Sequence, residues 1–400
     1  MEAHTSPLRL AVILLLSTMF TACQVWPSGG APNQVSVPSG KTTSTGFDCP
    51  EPNPRVEVAS TQLDLLVWSE YIPEEFFECF ELVYGIPVQY EEFDSVEQMY
   101  DLVTTAQTTV DLIQPTDFVV PRMVREGLLR KLDHARLPSL ANFNSHYLDL
   151  AFDPDNTYTI PYEAGLDAIV VNTARVKEVP DSWADLWDAQ YAGRLLLTDD
   201  ERTVIGLTLL TLGFDVNSTS PSELEQARRA LMVLEPGIAV FDSESPSSRI
   251  AEGEVDLGVT WSGEAFMASQ QDAAVEFVYP SEGPILWQDN WAMLNTAEHE
   301  DAAYAWLNYT MQGDMFWMML TNFPYTNPND AALEYARGNP MQVTDVNGTT
   351  TTLDSVYSAY IDSTITNPPA EVIRSGHRIL DVGEAVALYD EIWAEIVEGE

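Results

Sequence analysis

Apolar and polar residues repeat with two different periods along the first third of the chain. Short apolar runs predict buried strands, and apolar side chains at helical spacing predict helices between them. The predicted elements are a strand at 63–68, a helix at 73–84 closed by Gly85, a strand at 86–90, a helix capped by Ser95 and a strand at 110–113. Gln98, three residues after Ser95, completes a capping-box pattern. Strand and helix alternate, so this part predicts an α/β lobe with a mostly parallel sheet.

A second set of alternating elements begins near Asp167. The predicted elements are strands at 168–171, 195–198 and 255–261 and helices at 202–212 and 223–234. A chain of 400 residues is long for one compact core and suits two domains of ordinary size. The pattern therefore predicts two α/β lobes.

The first residues have the pattern of an export signal. Arg9 precedes an apolar stretch at 10–16, and small residues follow it. The run Phe20-Thr21-Ala22-Cys23 resembles a bacterial lipobox, although Phe20 stands where Leu is usual. We therefore predict a signal peptide at 1–22 and lipidation of Cys23, with an ordinary secretory signal and a free cysteine as the alternative. No other stretch is long and apolar enough to span a bilayer.

Residues 23–55 are rich in Pro, Gly, Ser and Thr, which predicts a flexible tether. Cys49 lies in this segment, and Cys79 lies on the apolar side of the first predicted helix. The two thiols could pair in an oxidising compartment, but the sequence fixes no distance between them, so pairing stays open. Neither position favours a reactive nucleophile.

The composition is strongly acidic, with 62 acidic and 18 basic residues and a formal charge of -44. Such a charge repels nucleic-acid phosphates and attracts cations to a cleft, so nucleic acid is not an expected partner. Adaptation to high salt would give the same composition. The charge alone therefore does not identify a ligand.

Aromatic and acidic residues recur where the predicted strands end. In open α/β sheets, ligands bind outside the carboxyl ends of the strands. The segments at those ends are 68–71, 116–118, 199–203, 261–264 and 287–289. Ring faces attract a cation by about 0.5 to 2 kcal/mol, and carboxylates fix its position through charge-assisted hydrogen bonds. Spaced carboxylates between rings would suit a polyamine, in which ammonium groups are separated by methylenes.

Several runs resemble the spermidine/putrescine-binding proteins of polyamine ABC importers, from about residue 65 to 325. These runs are Val67–Pro73, Ser182–Trp187, Leu195–Asp200, Glu252–Val255, Trp287–Asp289 and Pro324–Asn329. The resemblance implies the two-lobe periplasmic binding protein fold, with a ligand cleft between α/β lobes and chain crossovers. The implied domains are 56–166 with 287–340 for the first lobe and 167–286 with 341–400 for the second.

The resemblance also implies a set of ligand-binding residues. They are Trp68, Tyr71, Thr116 and Phe118 from the first lobe, Asp200, Thr203 and Trp261 from the second, and Trp287, Asp289 and Tyr325 around the crossover. Asp200 would hold a terminal ammonium. Asp289 is expected to be the most important single carboxylate, because Trp287 two residues away would fix the ligand against it.

The implied protein is an extracytoplasmic, lipid-anchored monomer in the periplasm or at the outer face of the cytoplasmic membrane. It would deliver a polyamine to the permease subunits of an ABC importer, with neither a metal nor another cofactor and without enzymatic activity.

Three positions depart from the family pattern. Phe118 replaces a tyrosine, Thr203 stands where a second carboxylate is usual, and the position near Ile379 lacks the usual glutamine. The far end of the site would lose one charged partner for a terminal amine. From Thr203 we therefore expect weak length discrimination, with putrescine and spermidine binding with affinities within about tenfold of each other.

Other interpretations remain for these residues. Asp199 or Asp200 would also serve as a helix cap, and Trp183 and Trp187 suit a core. Carboxylates beside aromatic rings also occur in secreted glycosidases, although the chain has no HExxH, G-x-S-x-G or glycine-rich phosphate motif. A sugar or another small cation would also suit a binding protein of this fold. Two fixed charges, Asp200 and Asp289, favour a cation over a neutral sugar.

Overall fold

The structure, a computed structural model, describes residues 36–105, 109–344 and 348–398. The strands are β1 (Pro38–Thr42), β2 (Asp48–Pro50), β3 (Leu63–Trp68), β4 (Val88–Phe93), β5 (Leu112–Ile113), β6 (Thr159–Asn172), β7 (Leu195–Leu197), β8 (Ile238–Phe241), β9 (Leu257–Trp261), β10 (Val275–Val278), β11 (Ile285–Met293), β12 (Gln342–Thr344), β13 (Thr350–Thr352) and β14 (His377–Arg378). The helices are α1 (Glu74–Tyr84), α2 (Val96–Thr105), α3 (Val120–Arg125), α4 (Glu201–Thr211), α5 (Pro221–Leu234), α6 (Pro246–Glu252), α7 (Ser262–Gln271), α8 (Glu300–Thr310), α9 (Gly313–Phe316), α10 (Met319–Asn322), α11 (Asp330–Ala336), α12 (Leu353–Asp362), α13 (Ala370–Ser375) and α14 (Val386–Glu398). The predicted signal peptide and Cys23 lie outside the described residues. Within the described ranges, no helix combines the length and the apolar character that a bilayer span requires.

One sheet of ten strands continues through both lobes, in the order β4-β3-β5-β11-β6-β9-β7-β8 with β10 and β14 attached to β6 and β11. β3 pairs in parallel with β4 and β5, as the alternating pattern predicts. β7 likewise pairs in parallel with β8 and β9. The long strands β6 and β11 are antiparallel and lie at the centre. They contain Asp167 and Trp287, near which the sequence predicts the crossovers between the lobes.

Each lobe packs apolar side chains against its part of the sheet. In β3, Leu65 faces the first core, which contains α1 and α8, and its neighbour Leu66 faces a smaller core with α2 and α3. The second core lies around α4, α5 and α14. Of the two tryptophans predicted to suit a core, Trp183 has no exposed surface, and Trp187 is half-buried against the second core.

Residues 341–362 pack with the first core, although the sequence analysis assigns 341–400 to the second lobe. Val343, Leu353 and Tyr360 are buried in the first core, so β12, β13 and α12 belong to the first lobe. Ile379 and Tyr389 are buried in the second core. The third crossover therefore lies after Asp362, because α12 buries its apolar face against the first core.

The predicted flexible tether is folded over its last twenty residues, and this part of the prediction is wrong. β1 and β2 form an antiparallel hairpin, and Cys49 is fully buried and bonded to Cys79 of α1. The Tyr309 hydroxyl donates to the backbone oxygen of Pro50 at 3.0 Å. The disulfide and this buried contact attach the hairpin to the first lobe. Polar turn residues dominate the composition and predict flexibility, but the disulfide and the buried contact at Pro50 hold the segment in place.

We expect loss of the disulfide to destabilise the protein substantially. The bond joins residues separated by 30 positions, and closing a loop of this size contributes about 3.5 kcal/mol to the free energy of unfolding. Replacing both Cys49 and Cys79 with Ala should therefore lower the melting temperature by several degrees. Adding a reductant should do the same to the wild type but not to the double variant. Equal melting of reduced and oxidised wild type would contradict the prediction.

Candidate ligand-binding site

The centre of the site is the antiparallel ladder between β6 and β11. Glu163 lies opposite Asp289, and Gly165 lies opposite Trp287. Residues directly opposite in a ladder point to the same face of the sheet, and so do residues two positions apart along a strand. Asp167, two residues beyond Gly165, therefore shares this face. The ladder places three carboxylates and one tryptophan on a single surface.

Two glycines let aromatic rings lie directly on the backbone here. A β-carbon added at Gly165 would lie 2.2 Å from Cζ2 of Trp287, and one at Gly263 would lie 2.5 Å from Cε1 of Tyr325. The Trp287 and Tyr325 rings meet edge to face, with centroids 5.2 Å apart. Tyr71 packs in the same way on Tyr325 at 5.9 Å. Three predicted site residues thus form one aromatic cluster over the ladder.

Asp289 is buried beside this cluster and accepts a hydrogen bond of 2.6 Å from the Thr116 hydroxyl. Burial raises the pKa of its carboxyl group to about 7, and the nearby Asp117 adds to this rise. The hydroxyl groups of Thr116 and Tyr71 act in the opposite direction. The structure therefore brings Tyr71, Thr116 and Asp289 together, as the resemblance implies. A cation placed at this carboxylate would favour its ionised form.

Glu163 belongs to this surface but is absent from the predicted site residues. Its side chain has no exposed surface, and neither carboxylate oxygen accepts a hydrogen bond from the described residues. Burial raises the pKa of this group well above its usual range, and Asp289 raises it further. An ionised carboxylate in such surroundings is costly unless an opposite charge lies against it.

Asp167 is the second missed carboxylate and connects the ladder to the start of α4. It is buried, and its Oδ2 accepts a hydrogen bond of 3.1 Å from the Thr203 hydroxyl. Its Oδ1 accepts none from the described part of the chain. Burial and then Asp200 raise its pKa well above the usual range. Asp200 caps α4 by accepting from the backbone amide of Thr203 at 2.9 Å, so the cap that the sequence offered as an alternative role for Asp199 or Asp200 is Asp200.

The other predicted residues lie at the edges of this surface. Trp68 is half-buried at the end of β3, and its ring centroid lies 4.5 Å from that of Phe93. Trp261 ends β9 directly opposite Asp167. Phe118 packs against a core of each lobe, and the Arg202 guanidinium lies 5.8 Å from its ring centroid. The contacts of Phe118 are therefore those of a side chain that joins the two lobes.

A separate group of side chains has the composition of a metal site. The ligand atoms of Asp64, Asp111 and His299 lie within 4.8 Å of one another. However, the Asp111 carboxylate already accepts hydrogen bonds from the backbone amides of Asp64, Glu298 and His299, at 2.8 to 3.0 Å. These bonds join β3, β5 and the start of α8, so the group stabilises the first lobe.

The raised pKa values predict that the unliganded protein loses stability as the pH rises. Folding holds the pKa of Asp117 at about 6, Asp289 at about 7 and Glu201 at about 8, against ordinary values of 3.8 for Asp and 4.5 for Glu. Between about pH 4 and pH 8 the folded protein therefore binds more protons than the unfolded chain, and the free energy of unfolding falls. For Asp289 alone the change is on the order of 4 kcal/mol.

Melting curves between pH 5 and pH 8 at high salt would test this. The melting temperature should fall with rising pH, and the fall should be shallower in Asp289→Asn. A melting temperature that stays constant or rises over this range would contradict the expectation.

Comparisons with known proteins point to one class of protein. The profile of the family described as bacterial extracellular solute-binding protein matches residues 75–345. The spermidine/putrescine-binding periplasmic protein of Escherichia coli (strain K12) is 36% identical over 335 residues, which are 83% of this chain and 90% of that protein. The spermidine/putrescine-binding periplasmic protein 1 of Haemophilus influenzae is 31% identical over 341 residues, which are 84% of this chain and 89% of that protein.

The similarity extends to solved structures. The spermidine/putrescine ABC transporter substrate-binding protein PotD from Streptococcus pneumoniae superimposes with a TM-score of 0.68 at 29% identity, covering 84% of this chain and 98% of that one. The two-lobe periplasmic binding protein fold implied by the sequence is therefore confirmed.

Proposed function

Because this chain belongs to the family of bacterial extracellular solute-binding proteins, we propose that it captures a polyamine, spermidine or putrescine, between its lobes and delivers it to an ABC importer. The relatives named for binding spermidine and putrescine match most of the chain. The family consists of solute-binding proteins of transport systems, which are not enzymes.

One observation carries the proposal, namely a buried carboxylate beneath three aromatic rings. Asp289 can hold an ammonium group through charge-assisted hydrogen bonds, and the Thr116 hydroxyl fixes the orientation of the carboxylate. The rings of Tyr71, Trp287 and Tyr325 offer surfaces to methylene groups, each of which contributes about 0.8 kcal/mol when buried. A neutral sugar would leave Asp289 without an opposite charge.

The remaining predicted residues have proposed roles around this centre. Trp68 covers the ligand from the first lobe, and Trp261 covers it from the second. Asp200 lies close enough to Asp167 to raise its pKa, which supports a role in binding a second ammonium. Thr203 supports that role through its hydrogen bond to Asp167. Phe118 would contact the ligand only at the margin, because its ring packs between the lobes.

We further propose that the protein acts as a monomer held at the outer face of the cytoplasmic membrane by a lipid on Cys23. The lipobox-like run at 20–23 supports this anchor, and the periplasmic location in the names of the relatives supports an extracytoplasmic site. Metabolic labelling with a radioactive fatty acid should mark the wild type and not Cys23→Ala.

The proposal is tested by calorimetric titration of the mature protein with putrescine, spermidine, spermine and galactose. One-to-one binding of a polyamine near micromolar affinity, about -8 kcal/mol, is expected, with no heat from galactose. Absence of heat and of any melting shift with millimolar polyamine at low salt would reject it. Binding of galactose alone would favour a sugar-binding protein of the same fold.

A further inference from the structure

We propose that Glu163 and Asp167 are ligand-binding carboxylates, and that the site holds two carboxylate pairs that bind ammonium groups at opposite ends of one polyamine. The pairs are Glu163 with Asp289 and Asp167 with Asp200. This inference rests on the proposed function and specifies its ligand as a polyamine with at least three nitrogens.

The first pair has a geometry that calls for a cation. Glu163 and Asp289 lie directly opposite each other in the ladder, where β-carbons are about 4.5 to 5.5 Å apart and like charges destabilise the sheet. The Asp289 carboxylate accepts a hydrogen bond from the Thr116 hydroxyl, whereas both oxygens of Glu163 lack a hydrogen-bond donor among the described residues. An ammonium group with three donors can satisfy both carboxylates at once.

The second pair lies where α4 begins. Thr203 donates its hydroxyl to one oxygen of Asp167, which leaves the other oxygen free for a ligand donor. Asp200 lies close enough to raise the pKa of Asp167, although its own carboxylate also caps the helix. The Asp167 carboxylate, which is bonded to Thr203, therefore replaces the second carboxylate that the family pattern places at position 203. The expectation of weak length discrimination, which was drawn from Thr203 alone, is revised accordingly.

The two pairs border one continuous surface. Glu163 and Asp167 are four residues apart on β6, a separation of about 13 Å between their α-carbons. Between them the Trp287 ring covers Gly165. Burial raises the pKa of the Tyr325 hydroxyl, and the carboxylates of Glu264, Asp289, Glu163 and Asp167 raise it further, so this hydroxyl lies near both pairs. A diamine with four methylenes is too short to reach both pairs, whereas three nitrogens joined by seven methylenes suit the separation.

The carboxylates of Glu163 and Asp167 do not contribute to the stability of the unliganded fold. Each is buried in an interior strand, where an amide of the same shape would avoid the cost of burying a charge. We therefore expect Glu163→Gln and Asp167→Asn to melt at the same temperature as the unliganded wild type or higher. A group that bound ligand would show its role only when a polyamine is added.

The test is calorimetry of wild type, Glu163→Gln and Asp167→Asn with putrescine and with spermidine. Wild type should bind spermidine at least tenfold more tightly than putrescine. Each variant should lose at least tenfold in spermidine affinity. Putrescine can occupy only one pair. Only one of the two variants should therefore lose tenfold or more in putrescine affinity. Asp94→Asn, which removes one exposed charge, is the matched control and should change neither affinity.

The outcomes separate this inference from the proposed function. If wild type binds no polyamine, the proposed function fails. If wild type binds spermidine while both variants stay within threefold of it, the function stands and the inference is overturned. An equal loss of putrescine affinity in both variants would overturn the claim that the two carboxylate pairs bind opposite ends of the ligand. If a variant does not fold, the ratio of spermidine to putrescine affinity in the wild type decides. A preference of less than tenfold for spermidine would contradict the claim that the ligand spans both pairs.

Discussion

Replacing Asp289 with Asn should lower polyamine affinity by between about tenfold and 150-fold. The substitution keeps the shape of the side chain and removes its charge, and hydrogen bonds to charged groups contribute about 1.5 to 3 kcal/mol. The amide can still accept from Thr116, so the surrounding contacts should persist. Calorimetric titration with spermidine measures the change directly.

Asp94→Asn provides the control for the Asp289 experiment, because it makes the same chemical change at an exposed position. The melting temperature of the unliganded Asp289→Asn protein should not fall, since a buried carboxyl group with a raised pKa has been removed. A loss of less than about 1 kcal/mol in binding would place Asp289 at the rim of the site, against the role proposed for it.

Replacing Gly165 with Ala should abolish most binding while leaving the fold intact. The added methyl group would lie 2.2 Å from the Trp287 ring, so the ring must move off the strand and into the space assigned to the ligand. We expect a loss of at least a hundredfold in spermidine affinity. The displaced atoms belong to a side chain and not to the backbone. The melting temperature should therefore change little although most of the affinity is lost.

A double-variant cycle identifies the cause of the Gly165 effect. Trp287→Leu removes the ring and should itself weaken binding, but adding Gly165→Ala in that background should have little further effect. Independent, additive losses in the two variants would show that Gly165 acts otherwise than through Trp287.

The periodicity of the sequence predicts the strands and helices that alternate in 63–113 and in 168–261. β3 and α1 lie almost where their apolar patterns predict them, because their buried faces are uninterrupted. β4 begins at Val88 rather than at residue 86, since Pro87 has no amide hydrogen for the ladder. The prediction fails at the two central strands, because none is predicted at β11 and only part of β6 is. Only 168–171 was predicted, whereas the strand extends from Thr159 to Asn172.

The same feature explains why part of the site was missed. Glu163, Gly165 and Asp167 interrupt the apolar pattern of β6, so its first half did not resemble a buried strand. They also lie inside a strand, whereas the predicted site residues lie at strand ends or in runs shared with the polyamine-binding family. Two acidic residues flanking a glycine at alternate positions, beside an apolar run, were the signal available. Trp287, Asp289 and Tyr325 were predicted because they lie in those shared runs.

The ladder that carries the site also restricts how a descendant of this protein could change its ligand. Positions on one face of a strand recur about every 6.7 Å, so a charge on β6 can be moved only in steps of that size. The neighbouring positions are occupied, since Gly165 lies beneath Trp287 and Ile169 is buried in the second core. Gradual adjustment of ligand length would therefore have to arise in loops such as 199–203, where a carboxylate is not held to the spacing of the sheet.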